Sequence, residues 1–121
     1  MNAERLASLV CAELVQEVAA WGDLRYVITR FQYPDGDAIP VYPEPDGTLS
    51  DRGTTLFKLG MCGLEITPGR QETIEAICAQ YGVALNDNVL SVIGNDPSAD
   101  MLNLCKTVLK VSTLVYEHRL A

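Results

Sequence analysis

This chain of 121 residues is poor in the groups that most chemistry needs. It has one histidine, His118, and its four cysteines (Cys11, Cys62, Cys78 and Cys105) lie far apart with no C-x-x-C pair. An ordinary zinc site, built from closely spaced thiolates and imidazoles, is therefore excluded. A serine–histidine or cysteine–histidine couple would depend on the extreme C-terminal end folding back. His118 fits better as a solvated cation in a last helical turn. Three lysines stand among nine basic residues, against sixteen acidic ones, for a formal net charge of −7. Without a clustered basic footprint to displace counterions, direct nucleic-acid binding is not expected. Neither Gly53-Thr54-Thr55 nor residues 60–63 match a phosphate loop, which requires Gly-x-x-x-x-Gly-Lys-Ser/Thr. No apolar run approaches the ~20 residues of a membrane span, and the first residues lack a charged-then-apolar signal. A cytoplasmic protein without membrane contact is expected, its cysteines reduced, buried and acting as small hydrophobes.

What is present is an ordinary globular mix, 48% apolar and 21% charged, without repeats or low-complexity segments. Residues 1–121 should form one domain that buries roughly two thirds of its unfolded surface. Asn2 can cap a first helix over residues 3–20, with Leu6, Leu9, Val10, Leu14, Val18 and Trp21 at three- and four-residue steps and Gly22 as its stop. Residues 25–32, rich in β-branched and aromatic types, read as a strand with Val27, Thr29 and Phe31 on one face and Tyr26, Ile28 and Arg30 on the other.

The stretch 31–53, FQYPDGDAIPVYPEPDGTLSDRG, concentrates turns and carboxylates, holding four of the six prolines and four of the eight aspartates. Proline and glycine place turns at residues 33–37 and 43–47. A second strand over residues 38–42 and a short third over 48–50 complete an antiparallel meander, with Pro40 at an edge or facing a bulge. Ser50 or Asp51 caps a short helix over residues 54–61. Thr67-Pro68 opens a helix that stops at Gly82, its buried stripe being Ile74, Ile77, Cys78 and Tyr81. A hairpin pairs residues 83–85 with 89–93 across Asn86-Asp87-Asn88, and Asp96-Pro97 opens a last helix to about Arg119. That helix is apolar over more than one stripe. It is either clamped in the core or offers a seam for a homodimer or other partner. The fold class expected is α+β: an N-terminal helix, a three-stranded antiparallel meander, middle helices with a small hairpin, and a long C-terminal helix.

From YPDGDAIPVY through DGTLSDRGTTLFKLG the sequence resembles the bacterial and phage family catalogued as domain of unknown function 1828. The matching residues are Tyr33, Asp35, Gly36, Asp37, Ile39, Val41 and Tyr42, then Asp46, Gly47, Leu49, Ser50, Asp51, Gly53, Thr55, Leu56 and Leu59. Gln80-Tyr81-Gly82-Val83 is similar to the family's helix end, so the resemblance covers residues 25–93. Where the family has Asp-Asp-Gly, Arg52 replaces the second aspartate, and a role needing two adjacent carboxylates is put in doubt. The resemblance carries no assigned activity. It implies a setting in phages and mobile elements, in host defence or in countering it.

No residue set specifies a reaction, and two function classes stay open. In the first, the chain is a non-enzymatic acidic interaction protein. Tyr33 and Tyr42 supply contact area, while Asp35, Asp37, Glu44, Asp46 and Asp51 meet a partner protein's basic surface, in the manner of anti-CRISPR inhibitors. In the second, Asp35, Asp37 and Asp51 hold Mg²⁺ or a similar hard cation in a hydrolase or nuclease-like enzyme, with Lys58 the only lysine near them in sequence. Against both stands the ordinary use of Asp and Gly in turns and helix caps. The first reading is preferred, with no catalytic residue, metal or cofactor expected.

Overall fold

The computed structural model describes residues 1–94 and 96–116. It is α+β, and its six strands form one antiparallel sheet in the order β1-β2-β3-β4-β6-β5. The strands are β1 (Val15–Trp21), β2 (Leu24–Gln32), β3 (Ala38–Pro43), β4 (Leu49–Ser50), β5 (Ala84–Asn86) and β6 (Val89–Val92). The helices are α1 (Ala3–Leu9), α2 (Thr54–Met61), α3 (Pro68–Tyr81) and α4 (Pro97–Ser112).

The first helix is less than half as long as its spacing implied. Asn2 does cap it, Oδ1 accepting from the Arg5 N–H at 2.8 Å, but the helix ends at Leu9 and the chain enters a strand at Val15. The Cys11 N–H donates to Ser98 Oγ at 2.9 Å, which fixes the chain against the start of α4. The register runs Val15 to Thr29, then Glu17 to Ile28, so Gln16 sits in a bulge. One extra residue puts Val15 and Val18 on the same inward face three positions apart. The meander therefore has β1 as an additional strand, and β6 and β5 extend the sheet on its other side.

The other elements fall where their signals put them. Thr67 caps α3 with Pro68 at its first position, Gly82 ends it, and Asp96 caps α4. Asp87 and Asn88 take positive φ in the two-residue turn of the β5–β6 hairpin, the conformation that a primed turn requires. Pro40 is not on an edge strand. It faces an irregularity in β2, and β4 is so short that within β3 it pairs only with Tyr42 and Pro43.

Alternate residues of the sheet (Val27, Thr29, Ile39, Val41, Leu49, Leu90 and Val92) are buried against Leu6 of α1, Ile74 and Ile77 of α3 and the inner side of α4. Met101, Leu104, Cys105, Val108 and Val111 of α4 are fully buried, so of its two readings central burial is observed. Each such aliphatic contributes about 1.5–3 kcal/mol relative to exposure. The buried Thr29 hydroxyl donates to the Ile39 carbonyl at 2.8 Å, leaving no unmet polar group there. The residues between these (Tyr26, Ile28, Pro40, Tyr42 and Ser91) are half-buried, and the described helices leave that face of the sheet uncovered. α4 ends at Ser112 with Thr113 as its C-cap, short of the expected Arg119, and residues 117–121, with His118, lie outside the described residues.

Candidate functional site

The strand order divides the expected site in two. β2 runs from the turn at residues 22–23 to the turn at 33–37, and β3 returns to the turn at 44–47. The turns at 22–23 and 44–47 therefore share one end of the sheet, and Asp35 and Asp37 lie at the other.

At the Asp35 end the cluster closes on Lys58 of α2. Its Nζ donates to Asp35 Oδ2 at 2.6 Å and Asp37 Oδ2 at 2.7 Å and lies 4.9 Å from the centroid of the Tyr33 ring. The Lys58 hydrogen bond, with one from the Asp37 N–H, holds the Asp35 carboxyl below its usual range. Partial desolvation opposes the charge on Lys58, but the two carboxylates outweigh it and push its pKa up. Tyr33, expected as a contact residue, is 3% exposed. Its hydroxyl pairs with Thr55 Oγ1 at 3.2 Å, and burial raises its pKa. Tyr33, Lys58, Thr55, Cys62, Val115 and Tyr116 line part of an open cleft at this end.

Asp51, expected either to cap the helix at 54–61 or to face a partner or a metal, is fully buried. Its Oδ1 accepts from the Gly53 N–H at 2.8 Å and the Leu90 N–H at 3.0 Å, and its Oδ2 from the Thr55 N–H at 3.2 Å. The Asp51 N–H in turn donates to the Leu90 carbonyl at 3.0 Å. One side chain thus caps α2 and ties it to β6. The backbone bends to allow this: Arg52 has φ +52° and Gly53 φ +79°, and Gly53 is the helix N-cap residue itself.

At the other end Tyr42 lies half-buried on the uncovered face, 4.9 Å from Tyr26 between ring centroids, with the Arg52 guanidinium 5.3 Å from its own centroid. Arg52, the departure from the acidic pair, grips Glu44 through Nε at 3.0 Å and Nη2 at 2.8 Å, and Ser50 Oγ adds a third bond at 2.6 Å. Burial works against ionisation of Glu44, but these bonds outweigh it and hold its carboxyl below the usual range. Asp46 is exposed. It accepts from the Thr48 hydroxyl at 2.7 Å and the Thr48 N–H at 2.9 Å, which lowers its pKa as well. Reading the sequence by turns singled out Tyr42, Glu44 and Asp46 as candidates and did not single out Tyr26 or Trp21. The register that pairs Tyr26 with Ala19 and sets it beside Tyr42 is a property of the sheet.

Among the described residues no three histidine, cysteine or acidic side chains are grouped so as to hold a metal ion. The cysteines are also corrected: Cys78 and Cys105 are buried, whereas Cys11 and Cys62 are exposed. Among the described residues no helix is long and apolar enough to cross a membrane. The family model described as Domain of unknown function DUF1828 matches residues 29–111, from the middle of β2 to near the end of α4. Neither a curated protein nor a solved structure matches the chain.

Proposed function

The chain belongs to the family described as Domain of unknown function DUF1828, and from that premise we propose that it is a non-enzymatic, acidic protein-interaction module of phage or mobile-element origin. It acts in the cytoplasm. Its partner is a protein with a basic surface, such as a host-defence or nucleic-acid-handling protein, whose phosphate-binding groups it occupies with carboxylates. The observation that carries this reading is the sheet end holding Tyr42, Tyr26, Glu44 and the exposed Asp46. Tyrosines give contact area at low entropy cost there, beside Glu44, which Arg52 holds in place, and Asp46, which has no ion-pair partner among the described residues. The net charge of −7 extends the same field over the molecule and favours encounter with a cation-rich surface.

The test is capture from a bacterial lysate by the immobilised chain at low and high salt, run beside Asp46→Lys and Tyr42→Ala. A stoichiometric basic protein, released by salt and lost with both variants, is expected. Recovery of the chain alone at both salts overturns the reading. A rise in melting temperature with Mg²⁺ or Mn²⁺ would favour instead the metal-dependent hydrolase reading.

A further inference from the structure

β1 is the first strand of the sheet order, and its outer side has no partner among the described residues. Gly22 takes φ +60° at the first position of the two-residue turn between Trp21 and Leu24, where a primed hairpin turn needs glycine. Trp21 and Leu24 thus form a hydrogen-bonded pair, the bonds recur at Ala19 and Tyr26, and the N–H and C=O groups of Val18 and Ala20 point off the edge. Natural edges are commonly guarded by lysine, proline or brevity, and β1 has seven residues with neither. Its one guard, the bulge at Gln16, limits docking to residues 17–21.

The side chains define what fits. Between Arg5 and Arg25 the only charged residues are Glu13, Glu17 and Asp23. All three are exposed, and none is in an ion pair among the described residues. Glu17, Ala19 and Trp21 share the uncovered face of the sheet, with the Trp21 side chain at the strand's end 80% exposed. Val18 and Ala20 take the opposite face. A second copy of the chain would bring the same three carboxylates together on molecules of net charge −7 each, so this edge is not self-complementary.

We propose that the outer edge of β1 is a strand-docking site for an extended segment of a protein partner in which basic residues alternate with apolar ones. The basic side chains lie over Glu17 and the Trp21 ring, the best cation–π surface a protein offers, and the apolar ones over Val18 and Ala20. This rests on the interaction reading above and gives it main-chain affinity, on the same sheet end as the Glu44–Asp46 turn.

The probe is a synthetic hexapeptide of alternating lysine and valine, titrated into the full chain and followed by amide NMR shifts, amide exchange and the fluorescence of the single tryptophan. Saturable binding is expected, with shifts at Val18, Ala20 and Trp21 and slowed exchange of the Val18 and Ala20 amides. The same peptide N-methylated at its edge-facing amides, the glutamate–valine analogue, and the E17K chain should each bind at least about ten-fold more weakly. Equal binding of the N-methylated peptide, shifts confined to the turn at residues 44–47, or no saturation at millimolar peptide overturns the proposal. So does a dimer in sedimentation whose Val18 and Ala20 amides are already protected. Retention of a lysate partner by a chain that ignores the peptide removes the docking edge alone, whereas loss of both removes the interaction reading as well.

Discussion

Asp51 gives the sharpest test of how the DGTLSDRG segment works. Asp51→Ala leaves three backbone donors without their acceptor: the N–H groups of Gly53, Thr55 and Leu90. The Gly53 amide is part-buried and can turn to water, so the Thr55 and Leu90 amides decide the magnitude. At about 1–3 kcal/mol for each unmet buried donor, the loss is about 4 kcal/mol. Asp51→Asn keeps the shape and one carbonyl acceptor but sets an amide N–H₂ where one oxygen stood, for a loss of about 2 kcal/mol. Against a total stability of about 5–15 kcal/mol these are large fractions. Equilibrium urea unfolding reads them directly. With a slope of about 2 kcal/mol per molar, the alanine midpoint falls by about 2 M and the asparagine midpoint by about 1 M at unchanged slope. Amide exchange should accelerate first at Leu90 and Thr55. A loss below about 1 kcal/mol for Asp51→Ala would refute the account of this side chain as the tie between α2 and β6. Unchanged stability with abolished partner capture would move Asp51 back among the contact residues.

Three further outcomes follow from the geometry. Lys58→Met should lower stability by less than about 1 kcal/mol and only at low salt, because the two aspartates it holds are half or more exposed; thermal melts at low and high ionic strength check this. Glu44 has its folded pKa lowered from 4.5, so in acid the unfolded chain takes up the proton first. Its stabilisation is complete above pH 4.5 and is lost as pH falls through the lower folded value; urea midpoints against pH should show that limb shrink in Glu44→Gln. In the native protein two thiols, Cys11 and Cys62, should react promptly with an aromatic disulfide reagent. Cys78, and Cys105 with its pKa pushed up to about 12 by burial, should react only on unfolding; four prompt thiols would contradict the packing of α3 and α4.

Local signals carried most of the fold. Thr67-Pro68, Gly82, Asp96-Pro97 and the Asn-Asp-Asn turn act over a few residues through capping hydrogen bonds and φ preferences, and each element they bound is present as expected. The site was less legible because its bonds span the chain. That Asp51 would cap α2 follows from its neighbours, but its bond to the Leu90 N–H joins residues 39 apart, and only the assembled sheet supplies that donor. Tyr33 looked like a contact residue beside an acidic turn. Thr55, which takes its hydroxyl into the core, is 22 positions away on another element.

β1 was hidden for a more specific reason. In a regular strand, inward residues recur every second position, and Val15 and Val18 break that rule because the bulge at Gln16 adds one residue between them. Leu14, Val18 and Trp21, four and three positions apart, carry instead the spacing of a helical stripe, and Asn2 supplies a real helix start upstream. The two readings make opposite statements about Trp21. A helix over residues 3–20 would set it on the same stripe as Leu6 and Val10, whereas past the bulge the strand alternates strictly and turns it away from Val18 to the uncovered face. The face the exposed indole takes is therefore a consequence of the bulge: the extra residue that disguises the strand also fixes which face its last aromatic presents. Flattening the bulge with Gln16 retained would put either Val15 or Val18 on the wrong face, whereas deleting Gln16 sets the two valines two positions apart, both inward, in a regular strand. With Gln16 present, the bulge is thus the condition under which β1 packs two valines inward while still carrying Glu17 and Trp21 on its outer face.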